Sequence, residues 1–100
     1  MPISTGSTYF ISNDEESKFV QAANNEDVSS VIALYRFYRF SKLSMEQALP
    51  WLQKAAELGD GISQYNLAYY HYQNKEIDMA RKWALIALNN GISGAVELLN

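Results

Sequence analysis

The chain has 100 residues, 48% of them hydrophobic and 19% charged, with a formal net charge of −3. That length makes one small domain, with no run near the roughly 18 apolar residues of a membrane helix and no basic-then-apolar leader in Met1 to Ser7; a cytoplasmic protein that does not engage membranes is expected. The absence of cysteine excludes disulfides and thiolate metal sites, and the acidic balance argues against nucleic acid as a partner.

Residues 1–12 read as a polar tail, with Tyr9, Phe10 and Ile11 expected on the first helix. Ser12 followed by Glu15 has capping-box spacing, which predicts a helix from Asn13 to Asn24. Asp14, Glu15 and Glu16 fall in its first turn, where negative charge suits the helix dipole. A turn at residues 24–27 leads into a second helix from Val28 to Phe40, followed by a short loop at Ser41 to Leu43. Ser44 with Gln47 offers another capping box for a third helix, in which Pro50 removes a backbone hydrogen bond and predicts an irregular first turn. Gly59, which accepts the left-handed backbone, ends this helix. A fourth helix is expected from Ile62 to Gln73 and a tight turn at Asn74 to Ile77. A fifth helix begins at Glu76 or Asp78, reaches Asn89 and stops at Gly91. Gly94 to Asn100 has room for two turns. The reading is all-α, with about six helices and no strand.

Internal repetition is the strongest signal. A shift of 32 residues carries Ala48 to Ala80, Trp51 to Trp83, Ala55 to Ala87 and Gly59 to Gly91, whereas a shift of 33 carries Asp27 to Asp60, Ser30 to Ser63 and Leu34 to Leu67. Such a period denotes stacked helix pairs, none of which can bury its apolar face alone. The expected fold is therefore a short α-solenoid forming one domain: a degenerate first helix at 13–27, repeat units at 28–60 and 61–92, and a terminal helix at 93–100.

The pieces Ala48-x-x-Trp51-x-x-Lys54-Ala55-Ala56-x-x-Gly59-Asp60 and Gln64-Tyr65-Asn66-Leu67-Ala68, with Ala80-x-x-Trp83-x-x-x-Ala87-x-x-x-Gly91 as a weaker copy, resemble the tetratricopeptide superfamily and in particular its Sel-type branch. The resemblance covers roughly residues 22 to 100. Ala68 and Tyr35 replace the usual small Gly, His71 stands where Tyr is common, and the connecting loops are shorter than Sel-type ones. The resemblance implies a protein-binding scaffold whose concave groove is lined by the first helix of each pair.

A single histidine, His71, and the absence of cysteine and of a Gly-rich phosphate loop leave no catalytic or metal constellation to assemble; no enzyme activity, cofactor or metal is expected. His71 shares the Leu67 face and reads as a satisfied interior residue. At 100° per residue, Ile62, Tyr65, Tyr69 and Tyr72 lie opposite Leu67, and Ile32, Arg36 and Arg39 lie opposite Leu34, with Phe37 and Tyr38 inside. A helix that is apolar or aromatic all round needs neighbours on both sides or a binding role. Ile32, Arg36, Arg39, Tyr69 and Tyr72 are accordingly read as partner-binding, while Tyr65 serves either the groove or packing. Trp51 and Trp83 read as core between repeats, and Lys54, Arg81 and Lys82 as solvated.

Asp14, Glu15 and Glu16 either cap their helix or attract a basic partner. The functional expectation is a non-enzymatic protein-binding module. Its most concrete form is a small bacterial immunity protein that neutralises a co-encoded toxin such as a basic nuclease; the alternative is an adaptor that holds a peptide in its groove.

Overall fold

The computed structural model describes residues 11–99, so the expectation for Tyr9 and Phe10 lies outside the described residues. Every regular element among those residues is helical. Helix α1 is Asn13–Asn24; α2 is Val28–Arg36, continued by a π-helical turn at Phe37–Ser41; α3 is Met45–Glu57; α4 is Gly61–Gln73; α5 is Ile77–Asn89; and a 3₁₀ helix occupies Ser93–Leu99. The all-α class stands, with six helices when the π turn is counted with α2.

The helix starts follow from their caps. At α1 the Glu15 amide donates to Ser12 Oγ at 3.2 Å and the Ser12 amide to Glu15 Oε1 at 3.0 Å, completing the expected capping box. Helices α2 and α4 share a different device. Asp27 Oδ2 accepts from the Ser30 amide and hydroxyl at 3.2 and 2.5 Å, and Asp60 Oδ2 accepts from Ser63 at 2.9 and 2.6 Å. At α3, Ser44 Oγ accepts from the Gln47 amide at 3.2 Å. The α3 helix runs through Pro50 without a change of type: the ring lies near the start of the helix, where it removes one donor and leaves the winding intact.

The helix ends repeat as well. The amides of Asp27, Asp60, Glu76 and Ile92 donate to the carbonyls of Ala22, Ala55, His71 and Ala87, each five residues back. The residue before each donor, Glu26, Gly59, Lys75 or Gly91, has positive φ. This is the Schellman closure expected at Gly59 (φ 104°) and Gly91 (φ 91°); at Glu26 and Lys75 it is made by residues with a side chain.

The two repeat offsets have a structural cause. Seventeen residues separate the cap Asp27 from the cap Ser44, whereas sixteen separate Asp60 from Glu76. In the second copy the Glu76 amide closes the turn on the His71 carbonyl at 2.9 Å. In the first, the Ser44 amide closes on the carbonyl of Tyr38, the counterpart of His71, at 2.8 Å but one residue farther along. The additional residue is absorbed by π winding, marked by the Lys42 amide donating to the Phe37 carbonyl at 3.0 Å. The α-helix expected up to Phe40 therefore ends at Arg36.

The chain divides into two compact units, one ending at Trp51 and the other starting at Leu52, so the division falls within α3. The first unit packs α1 on α2. Its buried apolar residues are Ala23, Val31, Leu34, Tyr35, Phe37 and Ala48. In the second, α5 packs on α4 and the 3₁₀ helix on both. Leu52, Leu67, Trp83 and Leu98 are buried among seven alanines, whose small side chains let the helices approach closely. A buried amide adds direction: Gln64 Nε2 donates to the Ala56 carbonyl at 3.0 Å, and Gln64 Oε1 accepts from Asn90 Nδ2 at 2.7 Å. Gln64 thereby joins α3, α4 and the end of α5 with both ends of its amide satisfied.

Candidate functional site: the exposed faces of α4 and α2

Helix α4 contains no Asp, Glu, Lys or Arg. Its buried face is Ser63, Gln64, Leu67 and Ala68. On the opposite stripe Ile62 is 60% exposed, Tyr69 45% and Tyr72 44%. Tyr65 is half-buried and stacks on Tyr69, with ring centroids 6.5 Å apart and planes within 5°. The spacing of 62, 65, 69 and 72 brings these four side chains onto one helix face, as the angular count predicts. The result is an uncharged ridge with hydroxyl groups at its edge, which offers large contact area at low rotamer entropy.

The corresponding stripe of α2 has different chemistry. Ile32 is half-buried, and Arg36 and Arg39 are exposed. Behind them Tyr35 is buried; burial raises its phenol pKa, and Arg39, through its charge and a hydrogen bond, acts against that shift. The Arg39 guanidinium lies 5.3 Å from the Phe40 ring centre and the Lys42 ammonium 5.6 Å from that of Phe37. Sequence reasoning missed Phe40 and Leu43, which are 47% and 79% exposed. The signal available was the mismatch between the 32- and 33-residue offsets, which places an additional residue in this segment.

The acidic turn of α1 is largely committed to the fold. Glu15 closes the capping box, and hydrogen bonds from Ser12 hold its carboxyl below the usual 4.5. Glu16 accepts from the Tyr38 hydroxyl across to the π turn. Burial, and then this bond, push the Tyr38 phenol up to about 12. Asp14 is exposed.

His71 departs from the expectation of a fully satisfied interior histidine. Nδ1 meets Glu76 Oε1 at 2.9 Å across the α4–α5 turn, while the buried Nε2 has no hydrogen-bond partner among the described residues. Trp83 is buried as expected, but Trp51 is half-buried. Lys82 is exposed and lies over the Trp83 ring at 5.4 Å. Among the described residues no group of three or more His, Asp or Glu is placed to hold a metal ion, and no helix is long and apolar enough to cross a membrane.

Neither a protein-family model nor a solved structure matches this chain. It is similar to a protein of Escherichia coli (strain K12) named uncharacterized protein YibG, with 27% identity over an alignment of 97 positions that covers 88% of this chain. The match covers 62% of the length of that relative.

Proposed function

We propose that this chain is a non-enzymatic, cytoplasmic protein-binding module of tetratricopeptide-like type that engages its partner through the tyrosine ridge of α4. The observation that supports this reading is the exposure of Ile62, Tyr69 and Tyr72 on a helix without a charged residue. Solvated helix faces are normally charged, and contiguous apolar exposure at this scale suits a partner surface, where tyrosine is among the commonest anchors. The more concrete form is neutralisation of a co-encoded toxin. It draws support from the exposed Asp14 on the acidic turn of α1, which would meet a basic surface.

Co-expression with the product of a neighbouring toxin-like reading frame, followed by calorimetric titration, tests the reading. Tyr69→Ala combined with Tyr72→Ala should raise the dissociation constant by about a hundredfold with helicity unchanged. An unchanged affinity would refute the α4 assignment, and absence of toxin binding by the wild type would refute the toxin form.

A further inference from the structure

The α2 side of the molecule carries a second surface, with its own chemistry. Between Asp27 and Glu46 the chain has no carboxylate side chain but three cations, Arg36, Arg39 and Lys42, all of them exposed. The additional residue of the first repeat is wound into the π turn; Phe40 within that turn and Leu43 just after it present large apolar side chains to solvent. Leu43 has φ 54°, a left-handed conformation that strains a leucine. The second repeat closes the equivalent turn with one residue fewer and again through a left-handed residue, Lys75 at φ 62°, so helix pairing accounts for the backbone of Leu43 but does not require the additional residue or the π turn. Turns of π type are frequent at functional sites.

We propose that the surface from Arg36 to Leu43 docks an acidic segment of a partner protein, its carboxylates meeting Arg36, Arg39 and Lys42 and an apolar side chain packing on Phe40 and Leu43. Charge complementarity decides the class of occupant. The guanidinium fork of arginine matches a carboxylate bidentately, and Arg39 and Lys42 are already steadied over aromatic rings, which lowers the entropy lost on binding. An anionic membrane is disfavoured, since lipid-binding patches gather roughly four to eight basic residues and the chain as a whole is net negative at −3. The same net charge disfavours nucleic acid. This proposal is independent of the α4 ridge, which belongs to the other compact unit.

The test uses fluorescence anisotropy of the full chain with a labelled acidic peptide, Glu-Glu-Asp-Leu-Glu-Phe-Glu-Asp. The expected result is binding that fades as salt rises to about 0.5 M, where screening shortens to a few Å. Arg39→Gln with Lys42→Gln should weaken binding about tenfold, and Leu43→Ser should weaken it severalfold without changing the salt slope. Tyr69→Ala should leave it unchanged, separating this site from the α4 reading. Equal binding by the double Gln variant would overturn the proposal. So would the absence of peptide binding, whether or not phosphatidylserine–phosphatidylcholine vesicles bind the chain.

Discussion

Helices α2 and α4 match at the 33-residue offset, carry the same Asp–Ser cap and bury the corresponding leucines Leu34 and Leu67, yet they expose different chemistry. Where α2 and its π turn show Arg36, Arg39 and Phe40, α4 shows Tyr69, Tyr72 and Gln73. What the copies share is what folds a helix pair: a cap oxygen, a buried leucine and a left-handed closing residue. The variation lies on faces that the fold leaves free, and there the differences are large, including a one-residue insertion and a complete change of charge. The residues that build each helix pair are thus distinct from those that give it its surface.

The largest expected effect lies on the shared side. Leu34→Ala and Leu67→Ala each delete a fully buried side chain and should cost about 2 to 5 kcal/mol, a large share of what a domain of this size has. Thermal or denaturant unfolding checks this. A shift of a degree or so for one and a collapse for the other would break the equivalence of the two helices.

Next is the closing residue. At Gly59 an added Cβ meets no atom within 4 Å, so the penalty of Gly59→Val starts from forcing φ 104° on a β-branched residue and not from a clash at Cβ. A loss of about 1 to 3 kcal/mol is expected, against less than about 0.5 kcal/mol for the exposed Lys82→Ala. Equal melting of the two variants would remove the Schellman closure from the account.

Deleting Ser41 sharpens the comparison at its point of difference. The first repeat should then wind as α-helix through the deletion and close as the second does, with Leu43 left-handed as Lys75 is and stability within about 1 kcal/mol of the parent because only the π turn is lost. Unfolding together with amide chemical shifts across 36–44 would show it. Severe destabilisation would mean that the additional residue belongs to the packing.

The smallest effect concerns the tie between α1 and the π turn. Tyr38 keeps its proton more tightly in the folded chain, up to about 12 against an ordinary 10.0, so its contribution is intact below pH 10 and is lost as pH rises toward 12. The parent should lose stability across that window more steeply than Tyr38→Phe; identical slopes would exclude the shift.

Much of this architecture was legible because it rests on local rules. Ser12 with Glu15, Gly59 and Gly91 each act within a few residues, and the aromatic stripe of α4 follows from helical period alone. The Asp27 and Asp60 caps were visible as repeat positions but not as caps, since the residue three places on is serine rather than the Glu or Gln of a capping box. The π turn has no composition of its own. It shows in sequence only as the disagreement between two offsets, which becomes meaningful once the turns are laid side by side. The Glu16–Tyr38 bond joins residues 22 apart, and the Gln64–Asn90 bond residues 26 apart. Such pairings depend on how helices dock, which period and propensity do not specify, and for that reason Glu16 reads from sequence as a surface carboxylate.

The most direct test of the functional claim compares the parent with the Tyr69→Ala, Tyr72→Ala variant, each immobilised and exposed to the same lysate of the source cells. Circular dichroism of both samples controls for folding. A protein should be retained by the parent and lost from the variant at equal helicity. Identical sets of retained proteins on two equally helical samples would contradict it.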